Sequence, residues 1–412
     1  MDINFRYLQV ARQVGRHPTL SAAARNIALS QPAITQAIAA LERGLGVALF
    51  NRSNSGVTAT EAGRLFLERV ERALAHVREA VLDTVRLPPR EAALQFARLE
   101  RAMTTAQLNA LVAVVEHGSF SQAARAAGVS QPTVHRAARE LERLLGQPLF
   151  QRTSFGVQPT REAQRLARGV KLAFAEIEQA RAELGAFGGG EAGRTVIGAM
   201  PLAQSFLLPP ALIEFTREHP RHAVAILEGS YDNLVAALRG GTADLLIGAQ
   251  REPLMFKDVV QEHLFDDELA IVVRAGHPLL AQKRATVRSL AKYSWIEPRR
   301  ESPLHERFDT LFRDAGVPAP QSTIECNSLV AARSLLLESD RVMLLSVHQI
   351  HYDLTAGLLA TLPHPQGRVT RAIGLTTRSH WRPTQTQQAL LEVLRARARR
   401  VRDDRRADIA PP

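Results

Sequence analysis

The chain has 412 residues, 45% hydrophobic and 23% charged, which is too long for one hydrophobic core of ordinary size and predicts two to four domains. It contains no run of about 18 apolar residues that could cross a bilayer, and its first residues lack the apolar stretch of a signal peptide. We therefore expect a cytoplasmic protein with no membrane partner. The single cysteine, Cys326, excludes an intrachain disulfide framework and a cysteine-based zinc cluster.

The net charge of +11 is unevenly distributed along the chain. Residues 1–187 hold 24 Lys and Arg against 16 Asp and Glu, whereas residues 188–394 hold 21 against 22. The remaining tail has seven Arg and three Asp. A codon bias for arginine can explain the choice of residue but not its placement. The basic N-terminal part indicates a polyanionic partner, and double-stranded DNA is the one that we expect.

A segment of the chain is repeated with an offset of one hundred residues. Residues 21–60 align with residues 121–160 without a gap, and 19 of the 40 positions are identical. Both copies contain the triplet Ser-Gln-Pro, at 30–32 and 130–132. A duplicated module is the inference that follows.

Each copy predicts three short helices followed by a strand hairpin. In the second copy, Gly118 ends the first helix, Ser119 caps the next, and Ser130 caps the third, with Pro132 in its first turn. This is helix-turn-helix organisation, and the leading end of the third helix is suited to a DNA major groove. The hairpin that follows would form a wing able to touch the DNA backbone.

A long amphipathic helix is predicted after each wing. Each has an apolar stripe that needs a partner, so the two helices could pair with each other or each could pair with another subunit. The stripes consist of Phe66, Val70, Leu74 and Val77 in the first copy, and Leu166, Val170, Phe174 and Ile177 in the second.

The C-terminal half alternates buried strands with helices, which predicts an α/β sheet in two lobes with a cleft between them. Strand ends and helix N-termini that face such a cleft can hold an anionic or hydroxylated ligand. The acidic run 266–268 is expected to be a solvated turn or a crossover between the lobes. Cys326 is interpreted as a small residue lining the cleft or core, and His348 with His351 lacks a third metal ligand.

The pattern AAxxxxxSQPxxxxxxxxLExxLGxxLFxR, at 23–52 and 123–152, resembles the winged helix-turn-helix of LysR-type transcriptional regulators. Members usually carry one such module, whereas this chain has two. In that family the helix that begins at SQP lies in the major groove, and wing arginines contact phosphate. The resemblance thus implies DNA contacts for Ser30, Gln31, Thr35, Gln36 and Arg52, and for Ser130, Gln131, Thr133, His135, Arg136, Arg139 and Arg152.

The two recognition helices differ in charge. The second has His135, Arg136 and Arg139 where the first has Thr, Gln and Ala, so we expect the second copy to bind phosphate more strongly. The alternative is that one copy has become a dimerisation scaffold.

Residues 194 to about 395 are similar to the effector-binding domain of the same family, which has a two-lobed fold like that of type 2 periplasmic binding proteins. The segments IGAMPLAQSFLLP and WIEP look closest to the branch that regulates galactose-binding protein and protocatechuate catabolism. Arg251, after the third strand, could hold a carboxylate. The family's pocket positions fall on Met200, Pro201, Leu202, Ser230, Gly248, Ala249, Pro298, Asn327 and Ser328.

The expected fold is multidomain, with two α-helical winged helix-turn-helix domains followed by an α/β two-lobed, periplasmic-binding-protein-like (type 2) effector domain. The predicted modules are 1–60 and 105–160, each followed by a linker helix, 61–86 and 161–187. An interdomain linker is predicted at 87–104, the effector domain at 194–395, and a basic tail at 396–412.

The expected function is ligand-responsive regulation of transcription, with no enzymatic activity, cofactor or metal. The expected partners are double-stranded DNA, a small effector such as a sugar or an aromatic-catabolite-like acid, RNA polymerase and further copies of the chain. The alternative is a cytoplasmic binding protein whose helix-turn-helix copies serve assembly. The duplication either gives one chain both halves of an asymmetric DNA-reading unit, or gives an ordinary oligomer twice the usual number of DNA modules.

Overall fold

The computed structural model describes residues 4–53, 56–85, 89–154, 156–187, 193–282, 284–300 and 302–409. The first module has the three helices and hairpin expected from its sequence. They are α1 (Phe5–Arg16), α2 (Leu20–Ile27), α3 (Gln31–Leu45), β1 (Phe50–Ser53) and β2 (Gly56–Ala59). Two further helices follow, α4 (Glu61–Val85) and α5 (Pro89–Ala102).

The second module repeats this arrangement. Its elements are α6 (Thr105–His117), α7 (Phe120–Ala127), α8 (Gln131–Leu145), β3 (Phe150–Thr153), β4 (Gly156–Pro159) and the long helix α9 (Arg161–Phe187). The predicted caps are present, since the side chains of Ser30 and Ser130 accept hydrogen bonds from the backbone of Ala33 and Thr133, each at 3.4 Å. Local sequence signals therefore set the same boundaries in both copies.

The long helices α4 and α9 pack against each other in antiparallel directions. Arg69, near the start of α4, bonds Glu183 near the end of α9, while Gly169, near the start of α9, lies against Ala80 in α4. The apolar stripes of both helices belong to one hydrophobic core that also contains the residues of both modules. The N-terminal half is thus a single packed unit.

The segment expected to be an interdomain linker, 87–104, contains helix α5. Phe96, Leu99 and Met103 are buried in the N-terminal core, and the guanidinium of Arg78 lies over the Phe96 ring at 5.7 Å. The connection between the two modules is therefore part of the packed unit. The proline break expected at 87–89 lies partly outside the described residues.

The C-terminal half begins with β5 (Gly193–Ala199), a π-helical turn (Ala203–Leu207) and α10 (Leu208–Glu218). The first lobe is completed by β6 (His222–Leu227), α11 (Tyr231–Arg239) and β7 (Leu245–Ala249). Next come β8 (Val259–Arg274), a 3₁₀ turn (Pro278–Ala281), α12 (Val287–Leu290), β9 (Trp295–Glu297), α13 (Pro303–Arg313), β10 (Thr323–Glu325), α14 (Leu329–Leu337) and β11 (Val342–Ser346). The chain ends with a 3₁₀ turn (Val347–Ile350), α15 (His351–Thr355), β12 (Leu359–Leu362), β13 (Val369–Arg378) and α16 (Gln385–Ile409).

One mixed sheet runs through both lobes in the order β10-β9-β11-β8-β13-β7-β5-β6, with β12 also paired to β8. The long strands β8 and β13 pair antiparallel from Val259 to Leu269, and their register shifts at Ile373 and Gly374. These two strands join the lobes, so the cleft lies beside them.

The acidic run 266–268 lies inside β8, so the expectation of a solvated turn is wrong and the alternative, a crossover between lobes, is what the structure contains. Asp267 has an exposed fraction of 0%. The run was misjudged because a buried carboxylate can be accommodated in a strand when side chains from elsewhere bond it, and the local sequence does not show those partners.

The predicted boundary between the effector domain and the basic tail, at 395, falls within α16. Leu394 and Ala398 are buried, and Arg397 pairs with Glu214 of α10. The start of the tail is therefore part of the domain. Within the described residues, no helix is long and apolar enough to cross a membrane.

Candidate DNA interface and effector cleft

The leading ends of α3 and α8 present the polar side chains expected to read DNA. Gln31 and Gln36 are exposed in the first copy, where Ser21 Oγ donates a hydrogen bond to Gln31 Oε1 at 3.1 Å, and Thr35 is half-buried. In the second copy the exposed side chains are Gln131, Thr133 and Arg136.

Four of the predicted DNA contacts in the second copy are engaged within the module, beginning with Ser130 and Thr133, whose hydroxyl oxygens lie 2.8 Å apart. The His135 ring lies edge-on to Phe120, with ring centroids 5.0 Å apart, and is half-buried. Arg139 pairs with Glu142 at 2.7 Å, in the third turn of α8. Arg136 is consequently the predicted cation that is exposed at the leading end of this helix.

The glutamate of the LExxLGxxLF pattern fixes each wing to its recognition helix. Oε1 of Glu142 accepts hydrogen bonds from the backbone N–H groups of Leu149 and Phe150, at 2.8 and 3.0 Å. Glu42 makes the same two bonds in the first copy, at 2.8 and 3.1 Å. Arg52 and Arg152 are exposed on the wing strands that these bonds hold in place.

Replacing Glu142 with alanine should lower the free energy of unfolding by about 1–3 kcal/mol, because two buried N–H groups lose their acceptor. Urea denaturation would measure the change, with Glu140→Ala on the same helix as the matched control. Equal losses in the two variants would contradict the role assigned to Glu142.

The effector cleft has a volume of about 430 Å³ and lies where the lobes meet β8 and β13. Of the ten residues that the sequence assigned to the pocket, eight line it: Met200, Pro201, Leu202, Ala249, Arg251, Pro298, Asn327 and Ser328. Ser230 instead caps α11 through a bond from Asn233 N at 3.3 Å. Gly248 lies behind Met200, because a Cβ atom there would be 2.3 Å from the Met200 sulfur.

The charged groups that line the cleft are mostly arginines. The guanidinium of Arg251 lies over the Tyr231 ring at 4.7 Å, and its Nε is buried with no hydrogen-bond partner among the described residues. The remaining charged lining residues are Arg299, Arg307, Arg371 and Glu252. Apolar side chains such as Leu202 and Met343 supply most of the other walls. The cleft is thus suited to a molecule with an acidic group and an apolar body.

Arg371 is held in the cleft wall by the buried carboxylate of Asp267. Arg371 Nε lies 2.9 Å from Asp267 Oδ2, and Ser346 Oγ and His348 Nδ1 lie 2.6 and 2.7 Å from Oδ1. Burial raises the pKa of Asp267, but the hydrogen bond from His348 and the charge of Arg371 outweigh it and keep the pKa below its ordinary value. The carboxylate therefore stays ionised and orients Arg371.

Sequence reasoning missed Arg371, Asp267 and Gln349, whose Oε1 accepts a bond from Arg371 at 3.3 Å. Strand β13 was not among the predicted strands, although the β-branched residues of VTRAIGLTT after Gly367 are typical of a strand. Recognition of that strand would have placed Arg371 on a second crossover beside Asp267.

The effector domain contacts the paired helices through the loop after β13. Arg69 Nη1 donates to the carbonyl oxygen of Arg382 at 2.9 Å, and Arg72 bonds that of His380. The Arg382 side chain pairs in turn with Glu68. A cavity of about 340 Å³ beside this contact is lined by residues of α4, α9 and the first lobe.

The contact contains a carboxylate whose ionisation should make stability depend on pH. Burial raises the pKa of Glu176, but the His76 ring 3.9 Å away and the hydrogen bonds from Arg72 and Arg69 outweigh it and lower the pKa to about 2. The stabilisation is fully present above the ordinary pKa of 4.5 and is lost as the pH falls towards 2. We expect the difference in unfolding free energy between wild type and Glu176→Gln to shrink as the pH falls from 4.5 towards 2. A constant difference down to pH 3 would contradict this.

Comparison with known families accounts for almost the whole chain. Residues 5–64 and 105–164 each match the model of the bacterial regulatory helix-turn-helix protein of the lysR family, and residues 188–399 match the LysR substrate binding domain.

Among curated proteins, the HTH-type transcriptional regulator GalR of Pseudomonas putida is 34% identical over 368 residues, which cover 89% of this chain and 90% of GalR. The regulator PcaQ of Agrobacterium fabrum is 30% identical over 298 residues, 72% of this chain and 96% of PcaQ. The part of this chain left outside the GalR alignment is shorter than either module. The similarity to GalR therefore reaches into both copies.

Solved structures share the fold. ArgP from Mycobacterium tuberculosis superposes with a TM-score of 0.54 at 16% identity, over 71% of this chain and 96% of ArgP. A full-length OxyR variant from Pseudomonas aeruginosa gives 0.51 at 24% identity, over 72% of this chain and 95% of OxyR. Both comparisons support the arrangement of helix-turn-helix units and a mixed α/β domain.

Proposed function

The chain belongs to the LysR family of transcriptional regulators, and we propose that it reads two unlike DNA half-sites with α3 and α8 and responds to an organic acid bound in its cleft. As a family member it is a DNA-binding regulator with an effector-binding domain, and it is not an enzyme. We place it in the cytoplasm, in contact with RNA polymerase and as a homo-oligomer.

The observation that carries the DNA proposal is the shared core of the two modules. Because α4 and α9 pack within one chain, each chain holds two recognition helices in a fixed relation. Their exposed leading ends differ, with Gln36 in one and Arg136 in the other. Two different helices held together read two different sequences, so the preferred site would not be a palindrome.

The effector proposal is supported by the balance of charge in the cleft. Arg251 and Arg371 approach it from the first lobe and from a crossover strand, and Glu252 is the acidic residue that lines it. A neutral sugar would need many hydrogen-bonding groups, whereas the remaining walls are largely apolar. These features favour an acid with an apolar or ring-shaped body over a sugar.

Footprinting on the DNA upstream of the protein's own gene tests whether α3 and α8 bind two different half-sites. We expect Gln31→Ala and Gln131→Ala to weaken protection of two different half-sites, because each side chain projects from a different recognition helix. Arg136→Ala should also reduce the slope of log affinity against log salt by about one, since it removes one phosphate contact.

Gln282→Ala is the matched control, because this exposed glutamine lies in the effector domain. If only one of the two variants, Gln31→Ala or Gln131→Ala, weakens protection, the module whose variant has no effect is a scaffold. The proposal fails if neither that DNA nor pooled genomic DNA shows a sequence-specific footprint. The alternative, in which the helix-turn-helix copies serve assembly, would then remain.

A further inference from the structure

The helices α4 and α9 differ at positions that the hundred-residue repeat makes equivalent, and these differences lie at their contact. Arg69 of α4 corresponds to Gly169 of α9. The Arg69 side chain is only 1% exposed, yet it makes ion pairs with Glu183 at 2.7 Å and Glu176 at 2.9 Å. It also donates to Gln179 Oε1 at 2.8 Å. Each guanidinium nitrogen is thereby bonded to α9.

Of the three partners of Arg69 on α9, Glu176 is the one whose carboxylate is lost at the equivalent position of α4. The positions in α4 that correspond to Glu176, Gln179 and Glu183 hold His76, Glu79 and Asp83. Glu176 also pairs with Arg72 at 2.8 Å, and the residue of α9 equivalent to Arg72 is Leu172. The two arginines thus lie on α4, and Glu176, the carboxylate that both of them bind, lies on α9.

The other end of the contact between the two helices depends on the absence of a side chain at Gly169. A Cβ atom there would lie 2.4 Å from the Cβ of Ala80 and 2.8 Å from the carbonyl oxygen of His76. Real Cβ atoms do not approach so closely, so the spacing of the helices at this point requires glycine.

A pair of like helices would lack both features. Two copies of α9 would bury Glu176 and Glu183 with Gly169 and Leu172 in place of the arginines, which leaves buried carboxylates without a cation. Two copies of α4 would place Arg69 in the space that fits only glycine. They would also replace Glu176 with His76.

We propose that α4 and α9 are matched to each other, so that the first module accepts the second module of its own chain as partner and excludes a like module from another chain. The residues that select the pair are Arg69, Glu176 and Gly169. This goes beyond the proposed function, because it concerns pairing and holds whether one copy or both read DNA. It fixes the asymmetry of the DNA-reading unit in every molecule.

Disulfide trapping in the full chain tests this pairing, with Cys326→Ser as the background. Thr84→Cys with Arg165→Cys reports the pairing of α4 with α9, because these positions lie one helical turn beyond Ala80 and Gly169 in the antiparallel pair and leave Gly169 in place. Arg165→Cys with Leu184→Cys is the matched control, since Leu184 is the equivalent of Thr84 and would face position 165 only in a pair of α9 helices. Products are separated on non-reducing gels.

We expect the first double variant to form an intrachain disulfide in most molecules, giving a monomer of altered mobility. The control should stay reduced, and a mixture of the Thr84→Cys and Arg165→Cys single variants should form at least about tenfold less disulfide-linked dimer than the double variant forms intrachain product. Disulfide-linked dimers from the control, or as much dimer from the mixture as intrachain product, would overturn the proposal. Disulfide trapping does not depend on DNA footprinting. A failure of the pairing proposal can therefore be distinguished from a failure of the proposed function.

Discussion

Replacing Arg69 with leucine should lower the free energy of unfolding of the N-terminal unit by about 3–5 kcal/mol, because Glu183 loses the cation that bonds it and the buried Glu176 keeps Arg72 as its only arginine. Arg69 donates hydrogen bonds to Glu176, Glu183 and Gln179. Burial lowers the pKa of the guanidinium, but its bonds to the two glutamates outweigh this effect and raise the pKa, so the cation is held charged. Urea denaturation followed by circular dichroism would measure the loss.

Two further variants separate this cause from a general loss of packing. Arg64→Leu, on an exposed face of α4, should cost less than about 1 kcal/mol, as is usual for surface substitutions. Adding Glu176→Gln and Glu183→Gln to Arg69→Leu removes the uncompensated charges and should recover at least half of the loss. A triple variant less stable than Arg69→Leu would show that the charges are not the cause.

The repeated modules could be predicted from the sequence because their signals are local. Ser30 and Ser130 cap recognition helices, and Gly46 and Gly146 end them with φ angles of 73° and 64°. A helix boundary depends on a few neighbouring residues, so the same letters give the same boundary in both copies. Most pocket residues were placed for a related reason, since they follow strands that are buried and easily recognised.

The remaining features depend on contacts between distant parts of the chain. Asp267 is 79 residues from Ser346 and 104 from Arg371, and its burial makes sense only when these groups surround it. Similarly, the repeat shows that position 69 differs from position 169, but not that the two lie at opposite ends of the contact between α4 and α9. Because the helices pair, the difference in sequence gives an unlike pair, α4 with α9, a lower free energy than a pair of like helices.

Strand β13 connects the two sites. Arg371, near its start, lies in the wall of the cleft, and the residues after its end, His380 and Arg382, accept hydrogen bonds from Arg72 and Arg69 of α4. A ligand that repositions Arg371 therefore acts on the strand that ends at the helices carrying the DNA modules. Such coupling requires the ligand to bind the two arrangements with different affinity.

Replacing Arg371 with glutamine should consequently weaken the binding of an organic acid by at least about tenfold, since a hydrogen bond to a charged group contributes about 1.5–3 kcal/mol. The measurement is the rise in melting temperature during titration with small aromatic and aliphatic carboxylates, each paired with its neutral amide. Wild type should be stabilised by acids and not by the matching amides.

Arg368→Gln is the matched control, because this exposed arginine lies three residues away and pairs with Glu268 outside the cleft. Loss of acid binding in Arg371→Gln alone would place the acid group at Arg371, and the same variant should no longer change its DNA footprint when acid is added. Equal stabilisation by acids and amides would mean that the arginines do not select the ligand. In that case the effector would be neutral, and the role of Arg371 would be to stabilise the crossover strands through its ion pair with Asp267.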